Sequence, residues 1–194
     1  IKSKDVPCNT VIYFKVRDNK LDMTVSCRSN DCIWGTFGAN VVHMSILQEY
    51  MAYGIGVGIG TYTQVSDSFH AYTDVFNPMY EELESQDAFD FFSQMSLRNP
   101  YDNKAINPFP LINTSIDLWE QDLTWFFNRA PMQDVDFVDP FFSEVAAPLQ
   151  DAWYLYKNGE YDEALIEVQA CAASDWATAG YDWLNRAITN KENK

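Results

Sequence analysis

The sequence predicts an α/β (α+β) chain that closes in an all-helical region, and three observations carry that reading. Residues 10–17 (TVIYFKVR) and 21–27 (LDMTVSC) are rich in β-branched and aromatic residues and flank a short polar turn. Val41, Met44, Leu47 and Met51 recur at helical spacing. Beyond residue 140 the pattern reads as helix almost throughout.

In chain order, Asp18-Asn19-Lys20 joins the first two strands into a hairpin. Residues 29–39 (SNDCIWGTFGA) mix Asn, Asp and Gly and read as a loop, and Asn40 is placed to cap the helix that follows over roughly 41–53. That helix stops at Gly54. The run Gly54-Ile55-Gly56-Val57-Gly58-Ile59-Gly60 fits neither G-x-G-x-x-G nor a P-loop, so it reads as a helix end turning into a strand over 61–72. From about 73, short helical pieces alternate with breaks at Asn99-Pro100 and Asn107-Pro108-Phe109-Pro110. Residues 115–128 suit either a helix or a strand entering a loop, and periodicity does not arbitrate.

Residues 141–189 are expected to be helical, with Asn158-Gly159 as a separator and Ser174-Asp175 as a cap before 176–188. The stretch Leu155…Gly159-Glu160-Tyr161…Ala164-Leu165 has the look of one tetratricopeptide unit. A single unit cannot cover its own apolar face, so the region reads as a helical appendage. The expected division is therefore 1–140 as a core and 141–194 as the appendage.

Composition narrows the function. With 47% hydrophobic and 15% aromatic residues the chain can bury a core, which excludes wholesale disorder. Thirteen basic against 28 acidic residues leave a net charge of −15, which argues against broad nucleic-acid binding. No apolar run reaches the ~20 residues of a membrane span, and no secretion signal is visible. Four irregularly spaced cysteines then suit a reduced, cytoplasmic protein, and two histidines without ligand spacing make a metal site an unexpected feature.

Several residues carry reactive or recognising groups. Cys8, in a Pro-Cys-Asn turn before a strand, is a candidate nucleophile or a buried, inert thiol. Arg28-Ser29 sets a guanidinium fork beside a hydroxyl, suited to a phosphate or simply to a surface. His70 and Tyr72 alternate on the predicted strand and share a face.

Taken together, Cys8, Arg28-Ser29-x-Asp31, Gly35…Phe37…Asn40 at a helix start, and His70-x-Tyr72 have an order and spacing that resembles the thymidylate synthase and pyrimidine (dUMP or dCMP) hydroxymethylase family. The resemblance covers roughly residues 6–75, and 107–127 more loosely. It implies a large mixed sheet flanked by helices, packed against its copy in a homodimer. It also implies transfer of a one-carbon unit from 5,10-methylenetetrahydrofolate, as co-substrate, to carbon 5 of a pyrimidine deoxynucleotide monophosphate.

In that scheme Cys8 adds to carbon 6 as thiolate, and Arg28 favours the thiolate and holds the phosphate with Ser29. Asp31 faces the folate, while His70 and Tyr72 bind the sugar hydroxyl. Asn40 reads the base edge; an amide offers one donor and one acceptor, matching uracil, so dUMP is favoured. Methyl and hydroxymethyl products both stay open.

Departures from the family pattern qualify this picture. Asn9 stands where a histidine is usual, and the Arg28–Asn40 interval is one residue longer than usual. The family's upstream glutamate, tryptophan and partner arginines have no counterpart in the seven residues before Cys8. The chain, which opens on Ile1, is therefore expected to be the C-terminal two-thirds of such an enzyme, of a divergent, viral type. The rival readings are a nucleotide-binding relative without the chemistry, and a protein-interaction role for the aromatic C-terminal helices.

Overall fold

The computed structural model describes residues 8–85, 106 and 108–192. The expected breaks at Asn99-Pro100 and Asn107 lie outside the described residues. Backbone contacts divide the chain into two compact units, 1–97 and 98–194.

The first unit is built on a three-stranded mixed sheet in the order β1-β2-β3. Strands β1 (Asn9–Arg17) and β2 (Lys20–Asp31) form the expected antiparallel hairpin. Its turn puts Asp18 and Asn19 at φ 48° and 58°, the two left-handed residues of a type I′ turn, which short polar side chains tolerate. Strand β3 (Gly58–His70) lies parallel to β2, reached through helix α1 (Asn40–Gly54). The glycine run does end the helix and start the strand: Gly56 takes φ +73°, and β3 begins two residues later.

Strand β2 is central, so its alternate residues Leu21, Met23, Val25 and Cys27 are buried. Met23, Val25 and Cys27 pack with Ile12, Met44 and Tyr62, from β1, α1 and β3. Helix α1 is also pinned by Gln48, which is buried and donates to the Leu21 carbonyl at 2.7 Å. Between Leu21 and Met23 the β2–β3 register slips. There the Asp22 carboxylate accepts the Thr61 N–H at 2.8 Å, and Gly60 makes room for it, since a Cβ would sit 2.4 Å from the Asp22 oxygen.

Two expectations for this unit are corrected. Residues 29–39 are not one loop: Ser29–Asp31 finish β2, and Cys32–Ala39 wind as a wide helical turn that runs into α1, with non-helical backbone at Gly38. Strand β3 spans 58–70 rather than 61–72; Tyr72 stands beyond it, and its carbonyl accepts from Val75 and Phe76 to open α2 (Thr73–Ser85).

In the second unit the ambiguous stretch is helical: α3 spans Ile116–Asn128, with the Ser115 hydroxyl accepting the Leu118 N–H. The region from 142 onward is helical as expected. Its elements are a turn at Phe142–Ala146, α4 (Ala147–Asn158), α5 (Tyr161–Glu167) and α6 (Ser174–Glu192). Gly159 closes α4 in the left-handed conformation at φ 87°. Ala152, Leu155, Tyr156, Ala164, Val168, Leu184 and Ile188 form one buried cluster there, so Tyr156 serves the core. Trp153 and Trp183 sit half exposed beside it, ring centroids 5.4 Å apart. Arg129 forms a buried ion pair with Asp151 at 2.5 Å. No helix among the described residues is long and apolar enough to cross a membrane.

Candidate active site

In an open sheet with parallel strands, ligands bind outside the carboxyl ends of those strands, where connecting segments leave room. Here the carboxyl ends of β2 and β3 lie side by side, with Ser29 opposite Ser68 and Asp31 opposite His70. The start of β1 lies at the same end. The Arg28 N–H donates to the Cys8 carbonyl at 3.0 Å, so these two residues face each other across the hairpin edge. The first residue of α1, Asn40, is hydrogen-bonded to Asn30 of β2. Cys8, just before β1, thus meets Arg28, Ser29 and Asp31 of β2, Asn40 of α1 and His70 of β3 at one end of one sheet.

Side-chain contacts tie part of this group together. Asn30 is 2% exposed; its carbonyl oxygen accepts from Asn40 Nδ2 at 2.9 Å and its own Nδ2 donates to Ser66 Oγ at 3.0 Å. Asn40 is therefore not the expected helix cap. The turn before it is already helical, so α1 needs no capping side chain, and the Asn40 backbone N–H bonds to the Gly35 carbonyl. That i→i−5 bond belongs to a wide turn, which holds more residues than an α-turn and accommodates the long Arg28–Asn40 interval.

The Asp31 carboxylate is largely buried. One oxygen accepts the N–H groups of Ile33 (3.0 Å) and Trp34 (2.5 Å), capping the wide turn, and the other accepts the Tyr72 N–H at 3.3 Å. A single carboxylate thus fastens the chain entering α1 to the chain leaving β3. His70 Nδ1 lies 3.3 Å from the Ser68 carbonyl, an acceptor to which it donates when Nδ1 carries a proton. Tyr72, although off the strand, still packs edge-on against His70 with centroids 5.4 Å apart.

Beneath the site the Cys27 thiol donates to the Asn9 carbonyl oxygen at 3.0 Å and accepts from Gln64 Nε2, while the Tyr62 hydroxyl donates to Gln64 Oε1. Burial, with the neighbouring Cys27, pushes the Tyr62 phenol above its ordinary value. Asn9, the departure next to Cys8, is held by this inner network. All four cysteines are free thiols; Cys8 is half-buried, whereas Cys27 and Cys171 are buried.

Sequence reasoning missed Asn30 and Ser66. The available signal was a polar pair, Asn30-Asp31, continuing a strand whose alternate residues are apolar. A buried Asn at a strand end implies a partner.

Residues 2–121, more than half of the chain, match the family model for thymidylate synthase. The chain is 40% identical over 190 residues to a deoxyuridylate hydroxymethyltransferase of Pseudomonas phage M6, covering 95% of this chain and 53% of that protein. A protein of the same description from Bacillus phage SP01 is 48% identical over 80 residues, 41% of this chain and 21% of that one. A putative thymidylate synthase of Methanocaldococcus jannaschii is 44% identical over 69 residues, 36% of this chain and 31% of that one. The chain spans about half the length of the first of these relatives. A matched family model, over residues that include the whole sheet end described above, establishes that this chain belongs to the thymidylate synthase family.

Proposed function

We propose that the chain serves an enzyme that transfers a one-carbon unit from 5,10-methylenetetrahydrofolate to carbon 5 of dUMP, with a hydroxymethylated product. The gathering of a thiol, a guanidinium and a base-reading amide at one sheet end carries this reading. The similarity to a phage deoxyuridylate hydroxymethyltransferase along 95% of the chain supports the hydroxymethyl outcome over methyl. The methyl product is the second reading, favoured by the similarity to the archaeal protein over 69 residues.

Chemically, carbon 5 of uracil is too weak a nucleophile until a thiolate adds to carbon 6 and pushes electrons toward the carbonyl at carbon 4. Cys8 supplies the sulfur, and Arg28, its backbone partner across the hairpin edge, supplies a guanidinium that pairs with the phosphate. Ser29 adds a hydroxyl donor to the phosphate. Asn40 keeps one N–H and its carbonyl oxygen without a partner among the described residues, a donor for the carbon-4 oxygen and an acceptor for the ring N–H. The charge that builds on that oxygen is met by the Asn40 donor.

His70 and Tyr72, edge to face, hold the sugar hydroxyl. The folate supplies the one-carbon unit. Asp31 faces the folate, while its three backbone bonds hold the site's shape. After the new carbon–carbon bond forms, carbon 5 gives up its proton to solvent, the bond from the one-carbon unit to the folate nitrogen breaks and tetrahydrofolate leaves. Water then adds to the exocyclic methylene, and the carbon–sulfur bond breaks to release Cys8 as thiolate and the hydroxymethylated nucleotide. A homodimer in a reducing cytoplasm, which suits four free thiols, completes the proposal.

The test is mass spectrometry of the chain with 5-fluoro-dUMP and the folate. A stable ternary adduct mapped to Cys8 supports the proposal, and loss of the adduct in Cys8→Ser completes the assignment. An unmodified Cys8 in folded protein, with no tritium released from [5-³H]dUMP, would count decisively against it. The mass of any product then separates hydroxymethyl from methyl transfer.

A further inference from the structure

We infer that Asn30 is the positioning residue that sets the direction of the Asn40 amide, and through it the choice between a uracil and a cytosine edge. The inference rests on the dUMP reading above. A side-chain amide can turn over, exchanging its donor and acceptor ends. Uracil presents an acceptor at position 4 beside a donor at position 3; cytosine presents the reverse. An Asn40 free to turn would therefore accept both bases.

The structure ties that freedom to Asn30. Asn40 Nδ2 donates at 2.9 Å to the Asn30 carbonyl oxygen, within a pair whose inner member is 2% exposed. Turning Asn40 alone would set oxygen against oxygen. Turning both requires the two amides to rotate together inside a closely filled space, with the Ser66 hydroxyl, now an acceptor at 3.0 Å, becoming a donor. Gly35 shows how filled it is: a Cβ there would lie 2.2 Å from the Asn30 oxygen and 3.1 Å from Asn40 Nδ2. The two amides are thus coupled, and the direction of Asn40 is inherited from a residue that need not touch the base.

Two substitutions separate this role from a merely structural one. Asn30→Leu keeps similar bulk but removes the acceptor. Asn30→Asp keeps an acceptor and forbids the reversed pair, because a carboxylate oxygen cannot donate; the Ser66 hydroxyl then donates to the second oxygen. Binding of dUMP and dCMP is measured by calorimetry on wild type and both variants, with the Asn40 side-chain amide followed by ¹⁵N NMR.

The expected result is that Asn30→Leu narrows the dUMP preference by about tenfold, the scale of one lost hydrogen bond. Its hydrogen-bonded Asn40 proton signal disappears, while Asn30→Asp retains both preference and signal. Equal weakening of the two nucleotides in Asn30→Leu, with the preference intact, would overturn the inference and leave the dUMP reading standing. If the leucine variant does not fold, loss of the preference in a folded Asn30→Asp overturns it equally. Wild-type protein that binds neither nucleotide would refute the dUMP reading itself, and with it the selectivity inferred here.

Discussion

Replacing Gly35 by alanine isolates the packing around the Asn30–Asn40 pair. Gly35 has no positive φ, so the backbone accepts alanine, and the cost is set by what the methyl group meets. At 2.2 Å from the Asn30 oxygen, against about 3.4 Å for an ordinary carbon–oxygen contact, the methyl forces that oxygen to retreat by about 1 Å. Hydrogen bonds of 2.9 and 3.0 Å do not survive such a shift. Two such bonds at about 1 kcal/mol each, plus a buried amide left partly unsatisfied, give a destabilisation of about 2–4 kcal/mol. In an Asn30→Ala background the clashing oxygen and both bonds are already gone, so Gly35→Ala should cost less than about 0.5 kcal/mol. Urea unfolding of the wild type, both single variants and the double variant measures the coupling, expected at about 2 kcal/mol or more. Additive effects within about 0.5 kcal/mol would refute the reasoning, because Gly35 would then matter for some reason other than Asn30.

Three further outcomes follow from the second unit. Arg129→Met leaves the Asp151 carboxylate buried without its cation and should cost about 3–5 kcal/mol by urea unfolding, whereas a double change to Met and Leu should recover most of the loss. Burial raises the Glu167 carboxyl, as does the nearby Asp151 charge, with Arg129 opposing. The folded state therefore holds this proton longer than the unfolded state, and stability should fall as pH climbs from the ordinary glutamate range through the raised folded value; Glu167→Gln should flatten that part of the profile. Asp139 behaves oppositely: burial opposes ionisation, but hydrogen bonds from the N–H groups of Phe141 and Asn113 and the side chains of Thr114 and Asn113 prevail and hold its carboxyl low. Its contribution is present above the ordinary aspartate range and is lost as pH falls through the lowered folded value. An acid-unfolding midpoint unchanged in Asp139→Asn would contradict this.

What could be read from the sequence was local. The hairpin followed from β-branched strands around Asp18-Asn19, and α1 from its apolar spacing, because neighbours decide both. The candidate site residues come together through their resemblance, in order and spacing, to a known family, which needs no geometry. Residues 29–39 misled because Asn and Asp ordinarily mark loops, yet here Asn30 bonds to Ser66 and Asp31 to Tyr72, partners 36 and 41 residues away. No local window contains those partners. Asn40 misled for a related reason: a capping residue type sits at a helix start, but the preceding wide turn removes the need for a cap and frees the amide for other work. The expected strand runs two residues too far, to Tyr72, past the point where the Asp31 bond helps end it.

The connectivity of the sheet favours an order of assembly. β1 and β2 are neighbours in sequence, joined by a turn whose two left-handed residues already point the strands back on each other, and such a hairpin closes in about 1–10 μs. β3 adds to the same central strand only after the whole of α1 has been looped back, a long-range closure with a larger entropic barrier. The backbones of Cys8 and Arg28 are therefore paired as the hairpin closes, while His70 joins them only when β3 docks on β2.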